Sequence, residues 1–215
     1  MEKQNTTKIG NEVLLGIILA LELYALPTQF YLLIEQSEFT LFGALVRFFS
    51  FFTILTNSVV LICSTFNLFG RRFKISAFFR KNATITAITV YIVIVGLVFN
   101  LLLRQVVDLK GLHRIVSEIF HTVVPILFFF YWLFYVDLEK ISFKTIMLWL
   151  IYPIIYVVYT LFHGVYTDFY PYPFIDAVKL GFLTAITNGL FVLLSFVILS
   201  YVLIFVSKLK NILIR

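Results

Sequence analysis

Apolar residues run in blocks of about 20, the length a helix needs to cross roughly 30 Å of hydrocarbon, and six such blocks can be placed, at 13–33, 46–69, 83–103, 116–136, 145–163 and 181–206. No segment alternates at period two as a barrel strand would. The pattern predicts an all-α integral membrane protein: one bundle of six transmembrane helices with an even number of crossings and both termini on one side. No internal repeat, low-complexity tract or soluble domain stands out, and the connecting loops are short. Function is therefore expected in the helices and their turns. The first block carries Glu22 and has no small-x-small cleavage site after it, so it reads as a retained helix rather than a signal peptide.

Composition agrees. The chain of 215 residues is 61% hydrophobic, 19% aromatic and 13% charged, with a mean hydropathy of +1.02. Soluble domains run nearer a quarter charged. A net charge of +6 might point to nucleic acid, but the basic residues lie between the apolar blocks rather than along one face, so no nucleic-acid partner is expected. Their distribution reports topology. Lys3, Lys8, Arg71, Arg72, Lys74, Arg80, Lys81, Lys140, Lys144, Lys208, Lys210 and Arg215 fall on the side of the termini, and only Arg47, Arg104, Lys110, Arg114 and Lys179 fall opposite. By the positive-inside rule the termini are cytoplasmic. A single cysteine, Cys63, excludes an intrachain disulfide, a CxxC pair and a thiolate cage.

Within this frame the polar residues of the spans become informative, because each is costly in lipid. In the second span Ser50, Thr53, Asn57 and Ser64 form one stripe. At about 1.5 Å per residue Thr53 lies about 9 Å and Asn57 about 15 Å below the outer edge. In the fourth span Ser117, His121 and Pro125 share a face, with His121 about 6 to 8 Å deep. Pro125 has no N–H to offer the carbonyl of His121. Tyr152, Tyr156, Tyr159 and His163 stripe the fifth span, and Thr184, Asn188 and Ser195 the sixth. Glu22 sits about 15 Å deep, where it must be protonated or partnered. Such polar stripes also serve as ordinary interhelical hydrogen bonds, and the aromatic turn after the fifth span reads equally as an interfacial belt or as a lid over the outer mouth, with His163, Tyr170 and Tyr172 as substrate contacts.

A hydroxyl becomes a useful nucleophile when a base takes its proton, and histidine is the usual base near neutral pH. Thr53 and His121 are the hydroxyl and imidazole that match best in depth, with Thr56 the alternative nucleophile. Asn57, Asn188, Glu22 and Tyr159 are candidates to donate to an oxyanion or orient the imidazole. A substrate reaching such a site sideways through the bilayer would be a lipid, and no cofactor is expected. Two other classes remain open. His113, His121 and His163 with Asp168 or Asp176 could hold zinc, although no histidine pair has the spacing of a helical zinc motif. A proton-coupled carrier could use Glu22 and His121, and a purely structural protein would use neither. Monomer and dimer are equally compatible with the pattern.

The segments PhePheThrIleLeuThrAsn at 51–57, HisThrValValPro at 121–125 and TyrProTyrProPhe at 170–174 resemble the androgen-inducible family of integral-membrane threonine hydrolases and its bacterial six-helix relatives. The resemblance extends from the second span to the loop after the fifth. Animal members of that family hydrolyse fatty acid esters of hydroxy fatty acids, so the resemblance implies a fatty acyl ester substrate, Thr53 as nucleophile and His121 as base.

Overall fold

A computed structural model describes residues 2–35, 38–136 and 142–213; Lys140 and Arg215 of the charge pattern lie outside them. Among the described residues there is no strand. Five helices are long and apolar enough to cross a membrane, spanning Lys8–Glu35, Asn82–Leu103, Gly111–Tyr135, Phe143–Thr167 and Phe182–Lys210. A sixth crossing would need the pair Leu41–Phe49 and Phe52–Leu68, whose axes meet at 85°. Large apolar side chains such as Phe42, Leu101 and Phe134 remain exposed, as surfaces that face lipid do.

The second block is thus a broken helix instead of one straight span. Helix α2 (Leu41–Phe49) is capped by Thr40, whose side chain accepts from the Gly43 N–H. It ends where Ser50 turns its hydroxyl back to the Arg47 carbonyl at 2.7 Å. Phe51 then takes an extended backbone (φ −86°, ψ 127°) and α3 (Phe52–Leu68) starts in a new direction. A serine that bonds a carbonyl of its own turn competes with the helical ladder, and this is the physical reason for the break. The consequence is that Thr53 stands in the first turn of α3 and not in mid-helix.

The chain divides into two compact units, Met1–Glu139 and Lys140–Arg215. In the first, α1 (Glu2–Glu35), α3, α5 (Asn82–Val98) and α7 (Val124–Tyr135) pack in cyclic order, each against two neighbours. Short α4 (Ser76–Phe79) joins α3 to α5, and α6 (Gly111–Glu118) leads into α7. Ile18, Val60, Val90, Phe128 and Trp132 fill the interior and are fully buried. The Trp132 indole N–H donates to Thr86 Oγ1 at 2.8 Å, which satisfies the polar tip of the largest core side chain.

Two π turns interrupt the ladder at one end of this ring, Phe99–Leu103 after α5 and Ile119–Val123 between α6 and α7. Such wider turns displace the hydrogen-bond register and often mark functional positions. Pro125 explains the second: with no N–H of its own it cannot close the usual bond to His121.

The second unit holds α8 (Ile146–Trp149), α9 (Ile151–Thr167), α10 (Ala177–Leu180) and α11 (Phe182–Leu213). Helix α9 stops at Asp168, the one non-glycine residue at positive φ (52°) among those described.

Candidate functional site

His121 lies in the π turn Ile119–Val123, half-buried and aimed into the ring of helices. Its Nδ1 is 2.8 Å from the carbonyl oxygen of Ser117 and 3.2 Å from the Ser117 hydroxyl. A carbonyl can only accept, so Nδ1 carries the proton. Nε2 is then the lone-pair nitrogen of the neutral ring. It faces Thr53 Oγ1 at 3.3 Å, an arrangement in which the hydroxyl donates to the imidazole. Thr53 is 8% exposed. The Phe99 ring stacks on the imidazole with centroids 3.9 Å apart and an interplanar angle of 16°, which fixes the plane of the base.

The backbone of the same histidine is held too. Its carbonyl, left without a helical donor by Pro125, accepts from Asn100 Nδ2 at 3.0 Å, and the same amide donates to the Gly96 carbonyl at 2.8 Å. Glycine suits this approach: a Cβ on Gly96 would sit 3.0 Å from the His121 carbonyl oxygen and 3.1 Å from Pro125 Cβ, so the neighbours would have to give by a few tenths of an ångström. Asn100 Oδ1 is in turn held by Arg104 Nε at 2.8 Å. The Arg104 fork binds Glu118 with both arms, at 2.6 and 2.7 Å, and Thr122 Oγ1 donates to Glu118 Oε2 at 2.8 Å. Bidentate pairs fix geometry as well as charge. The hydrogen bond to Glu118 pushes the Arg104 guanidinium further above its ordinary value. The two π turns are thereby tied together through side chains that converge on His121.

Two depressions border this knot. One is polar, lined by Phe99, Arg104, Asp108, Arg114, Ser117 and Glu118; of these, Phe99 and Ser117 also contact the imidazole. The other is an apolar groove between α5 and α7 that runs along Gly96, Asn100, His121, Pro125, Ile126 and Phe129.

The remaining sequence candidates are placed as follows. Thr56 is fully buried one turn beyond Thr53. Asn57 donates to the Thr53 carbonyl at 2.8 Å, so its N–H is committed to the backbone of the nucleophile candidate, while its Oδ1 is buried without a partner. Glu22 is 0% exposed and neither carboxylate oxygen has a donor. Five candidates belong to the second unit. Asn188 donates to the Phe174 carbonyl at 2.8 Å and ties the aromatic turn to α11. Tyr159 lies beside His163, centroids 5.6 Å apart, and Thr167 Oγ1 is 3.3 Å from His163 Nδ1. Tyr170 packs its ring directly on Gly164, where any Cβ would collide with it; burial first, then the Asp176 and Asp168 carboxylates, push its phenol above the ordinary value. Tyr172 stacks on Phe174 at 5.4 Å. Among the described residues no three His, Cys, Asp or Glu side chains gather as metal ligands would.

Sequence reasoning missed Asn100, Arg104, Glu118 and Phe99. One signal was available: Asn100 and Arg104 stand one helical turn apart at the end of an otherwise apolar span. No family model, no curated protein and no solved structure matches this chain.

Proposed function

We propose that the protein is an integral membrane ester hydrolase in which Thr53 is the nucleophile and His121 the general base, acting on fatty acyl esters that enter from the lipid. The observation that carries this is the pair of contacts on one ring: Nε2 at 3.3 Å from Thr53 Oγ1 and Nδ1 at 2.8 Å from the Ser117 carbonyl. A base needs its lone pair on the reacting hydroxyl and its other nitrogen anchored. The missing orienting carboxylate is replaced by a main-chain oxygen.

In the first half-reaction Thr53 Oγ1 attacks the ester carbonyl and its proton passes to Nε2. The tetrahedral intermediate collapses, the C–O bond to the alcohol breaks, and the leaving oxygen takes the proton from His121. Acyl-Thr53 remains. In the second half, water attacks the acyl carbon, gives its proton to Nε2, and the carboxylic acid leaves as Thr53 is reprotonated. Thr53 stands in the first turn of α3, where the positive end of the helix dipole favours the developing oxyanion. The apolar groove between α5 and α7 suits the acyl chain, and the polar depression over Phe99 suits the part of the substrate at headgroup level. In this reading both termini are cytoplasmic, which the distribution of basic residues supports, and Thr53 lies in the outer half of a bacterial plasma membrane.

Purified protein should hydrolyse a nitrophenyl ester of a long-chain fatty acid, with Thr53→Ala and His121→Ala each lowering kcat by roughly 100-fold or more. Retained hydrolysis in both variants would remove the assignment. A proton-coupled carrier is the second reading, favoured by the buried, unpartnered Glu22; proton flux into proteoliposomes that depends on Glu22 would favour it over hydrolysis.

A further inference from the structure

A hydrolase inside a bilayer must bring water to its acylated nucleophile, and five buried oxygens with no donor lie on α1 and on α3, the helix that carries Thr53, two of them on Glu22. They are Asn11 Oδ1 and a Glu22 carboxyl on α1, and Asn57 Oδ1 and Ser64 Oγ on α3. On α1, positions 11, 15, 18 and 22 recur at spacings of four, three and four; Leu15, Ile18 and Glu22 are all buried. On α3, positions 53, 57, 60 and 64 recur in the same way and all four are buried. Such spacing puts each set on one helical face, and α1 packs more extensively on α3 than on any other helix.

The helices run antiparallel. Phe30 near the end of α1 meets Phe48 just before α3, centroids 5.2 Å apart, while Gly10 near its start faces the ring of Tyr135 at the far end of α7. Measured from this shared level at about 1.5 Å per residue, Asn57 lies about 7 Å down, Glu22 about 12, Ser64 about 18 and Asn11 about 28 Å. The orphaned oxygens are therefore strung at intervals of about 5 to 10 Å from the turn below Thr53 toward the far end of the ring. Buried polar atoms without protein partners are the places where internal water binds, each molecule making two to four hydrogen bonds.

We propose that ordered water occupies the α1–α3 interface from Asn11 to Asn57 and delivers the hydrolytic water to acyl-Thr53. This rests on the hydrolase reading above. The oxygen of the last water attacks the acyl carbon, its proton passes to His121 Nε2, the bond to Thr53 Oγ1 breaks, and the proton returns to that oxygen. Water thus enters from the end opposite the lipid ester, so that substrate and co-substrate use separate routes.

Two measurements on the full chain in lipid nanodiscs test it. X-ray hydroxyl-radical footprinting reads bound water without reference to activity: Ile18 and Val60, both 0% exposed, should oxidise several-fold faster than Ile92, which is equally buried but on α5. Equal protection of the three would overturn the proposal. Ser64→Val and Asn11→Leu should leave the rate of fluorophosphonate labelling unchanged and slow deacylation on the order of tenfold, so that acyl-enzyme accumulates by intact mass. Unchanged deacylation in both variants would overturn delivery through this interface. If the wild type forms no acyl-enzyme, the hydrolase reading and the delivery role fall together, while the footprint still decides whether the water is present.

Discussion

At the scale of single residues, His121 is held through both its ring and its backbone. Three different neighbours fix its three degrees of freedom: Ser117 the tautomer, Phe99 the ring plane and Asn100 the backbone. Thr53→Ser keeps the hydroxyl and should retain measurable ester hydrolysis where Thr53→Ala does not; equal rates in the two variants would mean that the hydroxyl does not react. Asn100→Ala leaves the His121 carbonyl without its donor, and its effect should fall on kcat rather than KM, by about tenfold, since it displaces the base and not the substrate. The matching depth of Thr53 and His121 was legible in the sequence, and the structure adds their contact at 3.3 Å. Each could be counted from its own end of a span, and helical rise converts such counts to depth. The anchor on Nδ1 was not legible, because a search for an orienting carboxylate cannot find a main-chain carbonyl. The role of Asn100 was hidden as well, since it depends on two π turns meeting across helices.

At the scale of elements, the break between α2 and α3 and the paired π turns shape the site. The six apolar blocks could be read from length alone, yet the break at Ser50 and Phe51 could not, because the run of Phe, Leu and Ile continues through it. The cost of ending the helical ladder at that point is offset by the hydroxyl of Ser50 on the Arg47 carbonyl, a local bond that hydropathy does not register. At Gly96, α5 lies close against the His121 carbonyl and Pro125 at the start of α7. Gly96→Ala should push the helices apart by a few tenths of an ångström, stretch the bond from Asn100 to the His121 carbonyl and lower both thermal stability and hydrolysis; a variant with wild-type Tm and rate would show that the approach is not needed. Gly164→Ala in the second unit should lower Tm by displacing Tyr170, read in a thermal-shift assay.

For the whole molecule, the distribution of basic residues makes a prediction that the bundle geometry alone does not. With Cys63 replaced by alanine, Asp108→Cys should react with a membrane-impermeant maleimide added outside intact cells, because the loop that follows the π turn Phe99–Leu103 is expected on the side away from the termini. Protection there, with labelling only after lysis, would invert the topology. The all-α architecture follows from blocks of apolar residues that are each long enough to span and too aperiodic for strands. What composition could not convey is the division into a ring of four helices that contains Thr53 and His121 and a second unit that contains Tyr159, His163, Tyr170, Tyr172 and Asn188. Depth was the only coordinate the sequence offered, and depth does not say which unit a residue belongs to.

The central claim is that the Thr53 hydroxyl is activated by His121. A fluorophosphonate probe reacts preferentially with a hydroxyl activated by a base, and peptide mass mapping locates the adduct. One adduct per chain is expected, on Thr53, lost in His121→Ala. An adduct on any other residue, or no adduct in a protein that hydrolyses esters, would contradict it.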